Sequence, residues 1–327
     1  MHAVQLSTFG EPTSVPTLTT IDEPGAPGPG EVAIDVLFAP VNHNDLLLIA
    51  GRLPFKPQLP AVLGNEAVGR VTSLGAGVDN VRIGDLITPP LYSGTWRERM
   101  VIPAEGLFAL PPDADLQQLA MLRINPLTAG LMLSEYVKLQ PGDWVVQNAA
   151  NSGVGRAVIA LAQARGLRTI NLVRRPELVA QLRAAGGDIV LVDSASAAAK
   201  NASDAAAIVG EGKVRLAIDG VLGDATARLV DYLAPGSSLV AYAMMSGEQS
   251  APADLMPLMF KSITSHFFYQ NRPQYKASIL PLLKEAAALV ASGKLHAPVA
   301  RTYALAEVRD AIAHTLGGGK VLLEMGL

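Results

Sequence analysis

The chain has 327 residues, half of them apolar and 17% charged, with a net charge of −3 and no cysteine. At ~100–200 residues per domain two domains are expected. Disorder as the main state is excluded, as are disulfides, thiol nucleophiles, iron–sulfur clusters and zinc sites built on cysteine. No apolar run reaches the ~18 residues of a membrane span, and no basic stripe points to nucleic acid. The five histidines, His2, His43, His266, His296 and His314, form no HExxH or closely spaced pair. The opening residues MHAVQLSTFGEP lack the marks of a secretory signal or transit peptide. A metal-free, cytoplasmic protein is expected.

Residues 1–110 alternate short Val/Ile runs, EVAIDVLFA (31–39), EAVGRVTSLG (66–75) and DLITPPL (85–91), with Pro/Gly loops at 27–31 and 74–85. That texture predicts an antiparallel, barrel-like β domain. From about 115 to 260 the pattern changes to strand and helix in turn: DWVVQNA (143–149), then a helix over 152–166; RTINLVRR (168–175), then a helix over 176–186 opened by Pro176 and closed by Gly186. DIVLVD (188–193), a weak Ala/Ser helix near 195–210, VRLAIDGV (214–221), GDATARLVDYL (223–233) and SSLVAYA (237–243) continue it. Such alternation means βαβ units and a parallel sheet. A strand at KSITSHFFY, a helix through LPLLKEAAALVASG and a closing strand in GGGKVLLEM complete the chain.

NAANSGVGRAVIALAQARG (148–166) follows a strand and opens a helix. Gly153 and Gly155 allow a tight turn and close approach of a ligand, and a helix N-terminus favours pyrophosphate. Asn151, Ser152 and Val154 complete the loop. It departs from GxGxxG, since Ala150 and Ser152 stand at the two earlier glycine positions when Gly155 is taken as the last; an ordinary strand-to-helix turn is the alternative. The next strand ends at Arg174 and Arg175, where an acidic residue would grip an NAD ribose. Guanidinium groups pair instead with a 2′-phosphate, so NADPH is the expected cofactor, against the alternative of two solvated arginines.

VNHNDLLLIAG (41–51), LPAVLGNEAVGRV (59–71), NSGVG (151–155) and GGGKVLLEM together resemble the medium-chain dehydrogenase/reductase superfamily over nearly the whole chain. Zinc alcohol dehydrogenases of that family carry a ligand Cys and a Gly-His-Glu triplet. Here the Cys is missing and the triplet reads Gly64-Asn65-Glu66, which narrows the resemblance to zinc-free quinone reductases and 2-enoyl thioester reductases. The blocks 147–175, SGTWRERMVIP (93–103) and RINPLTA (123–129) look most like enoyl-CoA/ACP reductases of mitochondrial type.

The resemblance implies an α/β fold with a doubly wound Rossmann domain over 121–264 and a GroES-like β-barrel catalytic domain over 1–120 and 265–327. It implies an active-site cleft between them and a homodimer paired through Rossmann edge strands. The implied activity is NADPH-dependent reduction of activated double bonds in enoyl thioesters or enones. Quinone reduction is one alternative, and a non-catalytic NADPH-binding protein is another. Asn42 and Asp45 match positions beside the nicotinamide, with helix capping as the structural reading. Asn125, Pro126 and Thr128 match a segment near the cofactor. Tyr242, Met244, Arg272 and Lys320 are further cofactor candidates.

The branch carries a tyrosine where this chain has Leu53, so a general acid worth ~10²–10⁴-fold in rate is missing. His43 and Tyr92 are the candidate substitutes. Arg123 is a candidate for an anionic substrate group, or else a partner of Glu66. Phe268, with Phe267 and Tyr269, would meet substrate or form an interface core.

Overall fold

Glu31–Val41 is the axis of the first of two units. Its even positions Val32, Ile34 and Val36 point into an apolar core while the residues between are half-buried, the period-2 pattern of a strand with one covered face. In the computed structural model, which describes residues 1–210, 214–248, 250 and 255–326, this strand pairs antiparallel with Val68–Leu74, Arg99–Pro103 and Val321–Glu324. Leu86–Ile87 and Arg301–Ala304 extend the sheet at its two ends. A second small sheet joins Thr17–Thr20, His2–Leu6 and Ala61–Val62. Helix His43–Ile49 and helix Val308–Leu316 cover the core through Leu46, Ile49, Val308 and Ile312.

The second unit is built on six parallel strands. In chain order they are Trp144–Gln147, Arg168–Val173, Ile189–Val192, Val214–Asp219, Ser238–Ala241 and Thr264–Phe267; in space the order is third, second, first, fourth, fifth, sixth. This is the doubly wound Rossmann arrangement. Trp144–Gln147 and Ser238–Ala241 are buried at every position, as strands covered on both faces must be.

The units are residues 1–124, 290–292 and 297–327 for the first, and 125–289 with 293–296 for the second. The second crossing therefore falls near 290, not at 264/265 as the sequence suggests. The reason is that Thr264–Phe267 continues the parallel sheet beside Ser238–Ala241. The helix that follows is tied to this unit as well, through Arg165 to Glu285 and Leu282 against Gly130.

The helix expected over 176–186 is the shorter Leu178–Ala184. Pro176 and Glu177 are spent in a turn, with the Leu178 and Val179 amides donating to the carbonyls of Arg175 and Pro176. Among the described residues no helix is long and apolar enough to cross a membrane.

Candidate active site

Two loops of the first unit are laced together. The Gly94 and Thr95 amides both donate to the Gly64 carbonyl at 3.1 Å, the Trp96 amide donates to Leu63, and the Tyr92 amide donates to the Asn65 carbonyl. Thr95 Oγ1 donates to the Glu66 carbonyl at 2.9 Å. Gly64 has φ +101°, and a Cβ there would meet the Trp96 amide nitrogen at 2.6 Å, so only glycine fits. Trp96 is fully buried and its indole donates to the Pro40 carbonyl. Truncating such a residue to alanine costs ~3–5 kcal/mol, which makes the lace a rigid platform.

Between this platform and the 51–59 loop lies a cavity of about 170 Å³, lined by Leu48, Phe55, Lys56, Asn65 and Tyr92 among others. Tyr92 is half-buried, has φ +60°, and meets Phe55 edge to face at 5.2 Å. A bulky residue at positive φ is strained, and such strain clusters at functional sites. Asn65 is 3% exposed and its Nδ2 has no hydrogen-bond partner in the structure.

Beneath the platform is a buried polar chain. Lys320 Nζ donates to Asn42 Oδ1 at 2.5 Å, Asn42 Nδ2 donates to Glu66 Oε1 at 2.9 Å, and Glu66 Oε2 accepts the Ile124 amide at 2.9 Å. The Asn42 amide donates to Asp45 Oδ2 at 2.7 Å, so Asp45 does cap its helix. Burial pushes the Asp45 carboxyl up to about 7, with Glu66 adding to the rise, and pushes Glu66 up as well. Burial lowers the Lys320 ammonium while Glu66 and Asp45 oppose that.

Arg123 donates through Nε to Thr88 Oγ1 and through Nη2 to the Thr88 carbonyl at 3.0 Å. Burial brings its guanidinium down to about 10, and Glu66 works the other way. Two arms of the fork are thus engaged by Thr88. Leu53 is half-buried but lies outside the cavity lining; Phe55, two residues on, takes that place. His43 is exposed on the first turn of its helix and lines no part of this cavity.

In the second unit Ser152 caps helix Gly153–Ala164, its Oγ accepting from the Gly155 amide at 3.1 Å. That leaves the Gly153 and Val154 amides at the helix start, with Asn151 beside them. A Cβ on Gly155 would stand 2.5 Å from the Ala150 carbonyl oxygen, and one on Gly153 would collide with the Asn125 side chain. Gly155 is therefore required by the backbone of the tight turn, and Gly153 makes room for the Asn125 side chain. Arg174 and Arg175 follow the second strand and are exposed; Arg175 lies 3.7 Å from Glu177.

Thr128 donates to Gln270 at 3.1 Å. Tyr242 covers Gly220, where a Cβ would stand 2.5 Å from its hydroxyl, and burial pushes that hydroxyl up to about 12. Met244 is exposed. Arg272 donates to the Phe267 carbonyl at 2.9 Å, and Phe268 stacks on Tyr275 at 5.9 Å.

Among the described residues no three His, Cys, Asp or Glu side chains are grouped to hold a metal. Asn65 is the residue that sequence reasoning passed over as a site residue. It was visible there only as the middle of the Gly64-Asn65-Glu66 triplet, and the cavity gives it a neighbourhood.

The fold and the two sets of residues define a two-unit dehydrogenase of the Rossmann and GroES-like type. Residues 28–112 match the alcohol dehydrogenase GroES-like domain family, and residues 153–285 match the zinc-binding dehydrogenase family. Mitochondrial enoyl-acyl-carrier-protein reductase of Rattus norvegicus is 36% identical over 312 residues, covering 91% of this chain and 81% of that one. The Homo sapiens protein of the same name is 35% identical over 324 residues, covering 95% and 84%.

The solved Etr1p/NADP/crotonyl-CoA complex superposes with a TM-score of 0.87 at 27% identity, over 99% of both chains. A Bacillus thuringiensis protein assigned as an NADPH:quinone reductase superposes at 0.86 with 25% identity, over 99% of this chain and 98% of its own. The chain belongs to the medium-chain dehydrogenase/reductase superfamily, in the branch of the enoyl thioester reductases.

Proposed function

We propose that this chain is an NADPH-dependent reductase of activated double bonds, with 2-enoyl thioesters as its leading substrates. The observation that carries the cofactor reading is the Ser152-capped helix start with exposed Arg174 and Arg175 at the end of the neighbouring strand. Free amides at a helix N-terminus suit pyrophosphate, and paired guanidinium groups suit a 2′-phosphate. The residues present fit NADPH, which supplies a hydride when bound. The substrate class rests on the enoyl-acyl-carrier-protein reductases to which the chain is similar.

Tyr92 is the hydroxyl proposed to replace the tyrosine that the branch carries at position 53. Its ring lines the barrel-unit cavity, where Leu53 does not. Asn42, held between Lys320 and Glu66, is a positioning residue of the same site.

Absorbance of NADPH at 340 nm, followed with crotonyl-CoA, small enones and quinones in parallel, tests the reading. Turnover of crotonyl-CoA above the others is expected. Leu53 favours the second reading, a quinone reductase, and turnover of quinones alone would establish it. No turnover with any of the three would leave a non-catalytic NADPH-binding protein.

A homodimer belongs to the same proposal. Thr264–Phe267 ends the parallel sheet, and Phe267, Phe260 and Met259 are 65%, 77% and 69% exposed nearby along the chain. Large exposed apolar patches mark association surfaces. Sedimentation that finds only monomer at micromolar concentration would overturn it. A cytoplasmic location is likewise proposed; the mitochondrial location in the relatives' names belongs to those proteins.

A further inference from the structure

We infer that the Asn65 side-chain amide is the hydrogen-bond donor that receives the substrate carbonyl oxygen in the barrel-unit cavity. The inference rests on the reductase reading and adds to it the residue that holds the oxygen.

Three observations lead there. Asn65 lines the 170 Å³ cavity together with Phe55 and Tyr92. It is 3% exposed, and its Nδ2 donates to nothing in the structure. A buried donor left unmatched carries a desolvation penalty, and such groups in native proteins call for an explanation. Nδ2 is itself enclosed, and a turn of the Asn65 amide toward the cavity would let an arriving carbonyl oxygen take it and remove that penalty.

The third observation is the fixing of the backbone that carries Asn65. Its carbonyl accepts the Tyr92 amide, and its neighbours Gly64 and Glu66 accept from Gly94, Thr95 and Thr95 Oγ1. Glu66 is in turn held by Asn42 and the Ile124 amide. A donor carried on a fixed backbone has little reorganising left to do when charge develops.

The chemistry balances with one donor and one proton source. NADPH, when bound, would supply the hydride for the β-carbon of an enoyl thioester; the alkene π pair would then shift to the α-carbon and carbonyl, and negative charge would gather on the oxygen. Asn65 Nδ2–H holds that oxygen. The α-carbon then takes a proton, from Tyr92 or from water, giving the saturated thioester and NADP⁺. Asn65 keeps its protons throughout, so its part is electrostatic.

Asn65→Leu keeps the size and removes the donor. The expected loss in crotonyl-CoA kcat is about 10²-fold, with NADPH affinity and melting temperature close to the parent. A second measurement needs no turnover: binding of butyryl-CoA against S-butyl-CoA, the thioether with CH₂ in place of the carbonyl. The parent should favour the thioester, and Asn65→Leu should bind the two alike. Asn65→Gln, which returns an amide one methylene longer, should recover part of the preference.

If the parent reduces crotonyl-CoA and Asn65→Leu keeps both its kcat and the thioester preference, the inference is overturned and the reductase reading stands. If the parent reduces none of the three substrate classes, the reductase reading fails by itself.

Discussion

Asn42 Nδ2 donates to Glu66 Oε1 at 2.9 Å, and both side chains are buried. The other end of the same amide accepts from Lys320. An Asn side chain has two N–H donors and one carbonyl acceptor, and these two contacts engage one of each. Asn42 therefore links Lys320 to a fully buried glutamate, and its side chain cannot turn without breaking both contacts.

The same cluster gives a pH prediction. Burial raises Asp45 from 3.8 to about 7 in the folded chain. A raised folded pKa means stability present below the unfolded value and lost as pH rises through the folded one. Asp45→Asn should melt close to the parent near pH 4. It should then gain on the parent from pH 4 to 7 and hold that gain above. A melting difference between the two that stays flat across this window would rule the mechanism out.

The proposed function assigns cofactor choice to Arg174 and Arg175. Hydrogen bonds to charged groups are worth ~1.5–3 kcal/mol, and ~1.4 kcal/mol is tenfold. Replacing both with alanine should weaken NADPH binding at least ~10-fold and leave NADH nearly untouched. Fluorescence titration with the two nucleotides decides; equal losses would remove the 2′-phosphate role.

The two loop glycines should behave differently. Gly155→Ala drives a methyl into the Ala150 backbone, and overpacking of this kind costs ~1–3 kcal/mol, so its melting temperature should drop. Gly153→Ala meets the movable end of Asn125. It should keep its fold and lose NADPH affinity as that side chain is displaced. The reverse ranking in calorimetry would refute the packing argument.

Tyr92 and Leu53 can be compared directly. Tyr92→Phe should lower crotonyl-CoA kcat ~10²-fold, the lower end of what general acids supply, with quinone turnover little changed. Leu53→Tyr should raise enoyl thioester turnover only if position 53 reaches substrate, and Leu53 lies outside the cavity lining. A gain at position 53 beside no loss at Tyr92 would transfer the role back to the family position.

Much of the fold was legible because its signals are local. The five strands between residues 143 and 243 stand where apolar runs alternate with Ala-rich helices. The edge strand Thr264–Phe267 was seen, but its allegiance was not: pairing with Ser238–Ala241 is a tertiary fact. Helix Val308–Leu316 and strand Arg301–Ala304 went unread, being short segments held by packing on the barrel core.

At the site, the arginine pair and Asn42 stood out by residue type and spacing. The contact of Arg123 with Thr88 could not be read, because Thr88 lies 35 residues back. Asn65 was hidden because nothing in a sequence says which amide lacks a partner.

The lace between residues 63–66 and 92–96 bears on how such proteins diversify. It holds the polar wall of the cavity, whereas Phe55, Lys56 and Pro57 belong to the separate 51–59 loop. Drift in that loop can reshape the chamber for longer, shorter or more anionic acyl groups without disturbing the wall. A lineage can thus trade one substrate for another by changing a few successive codons while the chemistry is inherited intact.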